Sequence, residues 1–240
     1  RISVMGVDLA GNPYTGSDSI TFIIDNSSPS VLLSDAENDN LLNISQVVTI
    51  TAGFSKTMTS TPTISISGIV TDVIMTQISG TNSYTYIWDT STGNLSNGIY
   101  TVTVSGTDFL GNPYSGSQSL TYNVDSSLPS VNLSDTDDDN YLSSRSSLII
   151  SAGFSETMAS TPTISISGIV TNVIMTQISG TNSYTYHWDV DNGGAPLNGI
   201  YRISVMGVDL AGNPYTGSDS ITFIIDNSSP SVLLSDAEND

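Results

Sequence analysis

Carboxylates are the side chains through which this sequence could do chemistry. Ser34 to Asn40 reads SDAENDN and sets Asp35, Glu37 and Asp39 at alternate positions; Ser134 to Asn140 reads SDTDDDN and does the same with Asp135, Asp137 and Asp139. Asp89 follows Trp88, Asp189 and Asp191 follow Trp188, and Asp125 and Asp226 lead into serine-rich stretches. Asp108 and Asp209 each open a phrase of the form Asp-x-x-Gly-Asn-Pro-Tyr. Carboxylates about 5 Å apart repel by about 3 kcal/mol per pair at an effective dielectric near 20, so a cluster of them calls for a cation. Ca²⁺ suits such a site because it takes roughly six to eight oxygen ligands in flexible geometry. The spacing lacks the Gly and the terminal Glu of an EF-hand loop. The other reading is that these acids are solvated turn residues, since Asp and Asn hydrogen-bond their own backbone in turns, and that Asp108 and Asp209 cap the turns they open.

Catalysis needs a positioned base or an activated nucleophile. The chain has one histidine, His187, and its counterpart one repeat earlier is Ile87, so it reads as an outward strand residue. Serines and threonines are plentiful but have no local activating partner, and the sequence does not read as an enzyme. Lys56 is the single lysine, so a Lys–Asn cross-link cannot be a device of every repeat.

What must position the acids is a repeat. Residues 54–89 return at 154–189 with four changes, Lys56 to Glu156, Thr59 to Ala159, Asp72 to Asn172 and Ile87 to His187. The segment 1–39 is identical to 202–240, two repeats on, yet differs from 101–139, so the higher-order period is a pair of repeats. The chain opens in mid-repeat at Arg1 and stops in mid-repeat at Asp240, as a window cut from a longer array would. The expected divisions are the end of one repeat over 1–25, complete repeats over 29–125 and 129–226, and the start of another over 230–240.

With 38% hydrophobic residues the 240-residue chain can bury cores. Its net charge of −19 would be repelled by DNA, RNA and anionic lipid surfaces. No cysteine is present, so neither disulfides nor thiolate metal sites support it. No apolar stretch reaches the length of a membrane span.

Short alternating runs separated by Gly, Asn, Asp, Ser and Pro predict an all-β sandwich. Seven strands are expected in the first complete repeat, over 30–34, 46–54, 62–67, 72–78, 83–88, 99–107 and 118–124. The predicted core takes Val48, Ile50, Ala52 and Phe54; Tyr84, Tyr86 and Trp88; Tyr100, Val102 and Val104; and Leu120, Tyr122 and Val124. Differences between repeats fall on the opposite face: Leu32 against Asn132, Ile87 against His187, and Thr101 against Arg1 and Arg202. Asn97 to Tyr100 and Asn198 to Tyr201 read NGIY, which matches a tyrosine corner, in which the hydroxyl bonds nearby backbone.

The stretches FSETMASTPTISISG, GTDFLGNPYSG and VDSSLPSV resemble tandem bacterial Ig-like repeats of giant cell-surface adhesins, more particularly those of gliding-motility adhesins of Bacteroidota. The resemblance covers both complete and both partial repeats. It implies tandem seven-stranded Ig-like sandwiches arranged end to end in a secreted, extracellular filament on the cell surface. In such a sandwich the odd-numbered strands run one way. One pole then collects Asp35, Glu37, Asp39, Asp89 and Asp125, and in the next repeat Asp135, Asp137, Asp139, Asp189, Asp191 and Asp226. The opposite pole carries Asp108 or Asp209. Linkers as short as DNSSPS (25–30) and DSSLPS (125–130) would bring the poles of consecutive repeats together, so the acids would meet at the junction around Ca²⁺.

Within the recurring phrase, Gly-Asn-Pro-Tyr reads as turn chemistry, and Tyr14, Tyr114 and Tyr215 are expected in the contact with the preceding repeat. The triplet DSI, at Asp18 to Ile20 and Asp219 to Ile221, resembles a short O-glycosylation signal of Bacteroidota with Ser19 and Ser220 as acceptors; strand sequence is the other reading. Two functions stand. One is a calcium-stiffened stalk supporting attachment or gliding, whose partners are neighbouring repeats of the same chain, with lateral self-association as an addition. The other is a multivalent module of weak glycan, ice or surface sites gaining avidity by number. Exposed aromatic platforms would favour the second, but Tyr84, Tyr86 and Trp88 alternate inward.

Overall fold

A computed structural model describes residues 2–16, 19–37, 39–137, 139–191 and 196–234. Among them every regular element is a strand. The leading partial repeat contributes β1 (Ile2–Ser3) and β2 (Ser19–Ile20). The first complete repeat runs β3 (Val31–Ser34), β4 (Leu41–Leu42), β5 (Val47–Phe54), β6 (Thr63–Ile66), β7 (Val70–Ile74), β8 (Thr76–Gln77), β9 (Ser83–Asp89), β10 (Gly98–Ser105) and β11 (Leu120–Val124). The second repeats that order as β12 (Val131–Asp135), β13 (Tyr141–Leu142), β14 (Ser147–Phe154), β15 (Thr163–Ile166), β16 (Val170–Ile174), β17 (Thr176–Gln177), β18 (Ser183–Asp189), β19 (Gly199–Met206) and β20 (Ile221–Ile225). The protein is all-β, as its alternation implies.

Packing groups the chain into two compact units. Unit one comprises Arg1–Glu37, Val48–Trp88 and Thr101–Thr121; unit two comprises Asn38–Val47, Asp89–Tyr100 and Tyr122–Asp240.

In unit two the second repeat forms a four-stranded sheet, β12-β14-β18-β17, and a five-stranded sheet, β13-β20-β19-β15-β16. All pairs are antiparallel except β13 with β20. The inward faces supply one core: Leu148, Ile150, Ala152 and Phe154 from β14, Tyr184 and Trp188 from β18, Ile203 and Val205 from β19, and Phe223 and Ile225 from β20. Trp188 meets Phe223 edge to face at 5.9 Å. Each fully buried side chain of this size contributes about 1.5–3 kcal/mol, which is what holds two sheets together without disulfides. In unit one, Ile50, Ala52, Phe54, Ile64, Tyr84 and Val102 are buried in the same alternation. Leu32 and Ile87 are exposed, as are Asn132 and His187, so the substitutions between repeats do fall outside the core. Arg1 lies outside the described residues. Tyr86, Tyr100 and Leu120 are only partly buried.

Two details depart from the seven-strand expectation. The first predicted strand is followed by a two-residue strand, β4 or β13, that pairs in parallel with the last strand. The chain enters it through Asn40 and Asn140, at φ 57° and 59°, a left-handed conformation that Asn tolerates better than most residues. The predicted strand 72–78 is two strands. β7 pairs with β6, the chain then buries Met75, and β8 pairs with β9 in the other sheet. Met75 donates its backbone N–H to the Pro62 carbonyl, a bond Met175 repeats with Pro162. The tyrosine corner forms in both repeats: the Tyr100 hydroxyl donates to the Ser96 carbonyl at 3.0 Å, and that of Tyr201 to Leu197 at 2.8 Å.

Candidate cation site

The site is built from three pieces of chain in each unit. In unit one they are the segment after β2 that carries Asp25, the residue two beyond the end of β5 at Lys56, and Asp108 after β10. Asp108 is 2% exposed and shapes its own turn. Its Oδ1 accepts the backbone N–H groups of Leu110 and Asn112, at 3.0 and 2.8 Å, and its carbonyl accepts that of Gly111. Gly111 has φ 92°, a conformation that favours glycine. Asn112 then uses Nδ2 twice, donating to Asp108 Oδ2 at 3.0 Å and to the Asp25 carbonyl at 2.9 Å. The Asp-x-x-Gly-Asn phrase therefore makes a rigid turn whose Asn side chain holds the end of the preceding repeat.

Between the two carboxylates lies the Lys56 ammonium, 2.6 Å from Asp25 Oδ2 and 3.2 Å from Asp108 Oδ2. It also donates to the Ser27 hydroxyl and carbonyl. The bond from Lys56, followed by those from Ser27, holds the Asp25 carboxyl well below the usual carboxylate range. The Asp25 bond raises Lys56, partly opposed by burial. Burial would raise the Asp108 carboxyl, but the bonds from Asn112, Lys56 and Leu110 together outweigh it and hold it low.

Unit two builds the same turn. Asn213 donates its backbone N–H to Asp209 Oδ1 at 2.8 Å and its Nδ2 to Asp209 Oδ2 at 2.9 Å and the Asp125 carbonyl at 3.0 Å. A further bond runs from Asn43 Nδ2 to the Ala211 carbonyl at 3.0 Å. The difference lies at the centre, where glutamate stands in place of lysine. Oxygens of Asp125, Glu156 and Asp209 all lie within 4.8 Å of one another. Burial, then the charges of Asp209 and Asp125, push the Glu156 carboxyl up. Among the described residues this is the one group of three or more carboxylates that close together.

The structure thus brings Asp125 and Asp209 together, and with them Glu156, which sequence reasoning passed over. The signal was visible as one of the four changes between repeats, but nothing in the sequence marked that position as facing two carboxylates. The other predicted acids fall elsewhere and mostly cap their own turns. Asp35 and Asp135 accept the N–H of Glu37 and Asp137, at 2.7 and 2.8 Å, and Asp39 and Asp139 accept those of Leu41 and Tyr141. Asp89 accepts Ser91, and Asp226 accepts Ser228 and Asn198. Asp189 and Asp191 are exposed. Asp137 is partly buried, and its Oδ2 has no hydrogen-bond partner among the described residues.

The tyrosines of the phrase do a different job from the one expected. Tyr114 and Tyr215 pack edge to face on Phe54 and Phe154 of their own repeats, with ring centroids 6.1 Å apart, rather than into the preceding repeat. Each ring covers the glycine two residues on, where an added Cβ of Gly116 would sit 2.6 Å from the Tyr114 ring. Their hydroxyls accept the backbone N–H of Gln118 and Asp219. His187 is an exposed strand residue bonded to Ser147. In the DSI triplets, Asp219 accepts the Tyr215 hydroxyl at 2.7 Å, and Asp18 lies outside the described residues.

Two-sheet sandwiches with a tyrosine corner, repeated along one chain and gripped at each exit by the following repeat, define a tandem β-sandwich protein. The chain belongs to the bacterial Ig-like domain (group 3) family, whose model matches residues 82–223. Among solved structures, one of a 1.5-MDa bacterial ice-binding adhesin is similar over 93% of this chain and 73% of its own, with a TM-score of 0.52 and 18% identity. Fibronectin(III)-like modules of Clostridium thermocellum CbhA align over 82% of this chain and 94% of theirs, at 0.41 and 17%. A tetra-tandem repeat from the extending region of a large adhesion protein aligns over 92% of this chain, which spans 55% of that structure, at 0.35 and 20%. No curated protein sequence matches. Among the described residues, no helix is long and apolar enough to cross a membrane.

Proposed function

We propose that the chain is a run of structural stalk repeats, complete over 29–125 and 129–226, in a large secreted adhesin at the cell surface. In this reading Ca²⁺ at the junctions stiffens the run, and the neighbouring repeats are the principal partners. The observation that carries it is the bond made twice over, Asn112 to the Asp25 carbonyl and Asn213 to the Asp125 carbonyl. A repeat that grips its predecessor through backbone suits a load-bearing array, because stacked repeats draw stability from their neighbours and reach from their number. Oxygen-rich turns with capped carboxylates, and the unpartnered Oδ2 of Asp137, suit a hard cation. Gliding motility is the finer form of this reading and rests on the resemblance of the repeat phrases. Nothing in it requires catalysis, nucleic acid or membrane insertion.

The competing reading, a weak glycan, ice or surface site multiplied along the array, draws on one observation. Exposed Phe109 borders an open cleft of about 670 Å³ whose lining includes Ile23, Lys56 and Leu110. Small-angle scattering of the chain with Ca²⁺ and with EDTA tests the stalk: a longer, stiffer particle with Ca²⁺ is expected. Ice-recrystallisation or glycan-array activity from the isolated chain, with scattering indifferent to Ca²⁺, would replace the stalk with the binding module.

A further inference from the structure

The Lys56-to-Glu156 exchange falls where a cation is held in one unit and three carboxylates converge in the other. Asp25 and Asp108 are the counterparts of Asp125 and Asp209, and the first pair already ligates a cation, the Lys56 ammonium, through one oxygen from each. The turn that presents the buried carboxylate is the same in both units, down to the Asn bond to the preceding carbonyl. The surroundings are therefore built to receive positive charge at this point, and only its source differs. With lysine the three side chains carry a formal charge of −1, and with glutamate −3. The gap of two units is the charge of one divalent cation.

We propose that this exchange makes two kinds of joint: one with its cation built in as Lys56, and one that takes an exchangeable Ca²⁺ between Asp125, Glu156 and Asp209. The inference rests on the stalk reading and names its ion site. Three carboxylates supply part of the oxygen shell, and carbonyls and water complete it, a mix that Ca²⁺ accepts more readily than the smaller, strictly octahedral Mg²⁺. Glu156 is the residue that makes the site: its carboxylate lies within 4.8 Å of ligand oxygens of both Asp125 and Asp209, at the sequence position that Lys56 holds between Asp25 and Asp108. Because 202–240 repeats 1–39 residue for residue, the sequence after the second joint returns to the phrase that precedes the first. Stiffness along such an array would then respond to calcium at every second joint, while the lysine joints hold at any calcium level.

The test is calcium titration by calorimetry, with thermal unfolding, on the 240-residue chain stripped with EDTA. Glu156→Lys is expected to lose one ion relative to the unaltered chain, and Lys56→Glu to gain one. Ions bound by other acids are common to all variants, so the difference in stoichiometry carries the result. Glu156→Gln keeps the shape of the side chain, and it too is expected to lose the site even if the lysine variant folds poorly. Unchanged stoichiometry in Glu156→Lys and Glu156→Gln, with none gained in Lys56→Glu, would overturn the proposal. So would an unaltered chain that binds no Ca²⁺ at millimolar concentration. Unchanged stoichiometry leaves the stalk reading standing, a chain that binds no Ca²⁺ removes its calcium stiffening as well, and the stalk itself fails if the isolated chain binds ice or glycan.

Discussion

Removing the charge of Glu156 should stabilise the protein when no metal is present. In Glu156→Gln the side chain keeps its length and loses one negative charge from a group whose oxygens lie within 4.8 Å of one another. At that separation a pair of unit charges costs about 3.5 kcal/mol at an effective dielectric of 20 and about 0.9 kcal/mol in bulk water. Asp209 is buried, but Asp125 and Glu156 are partly open to solvent, which places the cost of each pair near the lower bound. Glu156 takes part in two of the three pairs, so the substitution should return about 2 kcal/mol, or about 4–8 °C in Tm for a cooperative unit of this size. The assay is thermal unfolding in EDTA at neutral pH. The pH profile supplies an independent check. A carboxyl raised in the folded state keeps its proton where the unfolded chain has lost it, so stability falls as pH rises from the unfolded value through the folded one. The unaltered chain in EDTA should therefore lose stability on passing from mildly acidic to neutral pH, and Glu156→Gln should not. A Tm for Glu156→Gln in EDTA equal to or below that of the unaltered chain would refute the reasoning.

Asp25→Asn should act in the opposite pH direction. Asp25 is held low by Lys56 and Ser27, so its stabilisation is present above the ordinary carboxylate pKa and is lost as pH falls through the folded value; urea midpoints measured against pH should show a weakened neutral plateau and a flatter acid limb in the variant. Gly212→Ala should destabilise unit two by about 1–3 kcal/mol, because the residue has φ +92° and an added Cβ would stand 2.8 Å from Asn43 Nδ2. Urea unfolding measures that loss, and Asn43→Ala in the same chain should relieve only the steric part, leaving the backbone strain.

Much of the sandwich is legible in the sequence because period-two alternation fixes which face of a strand is buried. Val48, Ile50, Ala52 and Phe54 needed nothing beyond that pattern, and the exposure of Leu32 and Ile87 followed from it. The departures are places where a neighbour in space decides. Leu41 and Leu42 become a strand only because the last strand offers a parallel edge. The run from Val70 to Gln77 divides between two sheets because Met75 turns into the core. Tyr114 was assigned to the preceding repeat from its place at a pole, yet Phe54 and Gly116 give it a seat in its own. The site shows the same limit. Asp125 and Asp209 could be brought together by tracing strand directions and short linkers, whereas Glu156 could not. Asp35, Asp39, Asp135 and Asp139 spend one oxygen each on their own turns, which the sequence offered as the alternative to a shared cation without deciding between the two.

The near-identity of 54–89 and 154–189 makes the two repeats controls for each other, and their four differences can be weighed one at a time. Thr59 and Ala159 are exposed and donate the same backbone bond, to Thr107 and to Val208. Asp72 and Asn172 adopt the same left-handed conformation, at φ 50° and 53°, and each donates its backbone N–H to the serine hydroxyl seven residues earlier. Ile87 and His187 both face outward from their strands. In these three places either residue is accommodated by what surrounds it. The fourth difference stands between two carboxylates, one of them supplied by the preceding repeat, and reverses the sign of the charge that meets them. A joint with Lys56 is closed by chemistry internal to the chain, and a joint with Glu156 is left two positive charges short. Both turns hold the preceding carbonyl through the same Asn side chain, and unit two adds the Asn43 bond to Ala211, so the sign of the charge at this one side chain is the largest electrostatic difference between the two joints.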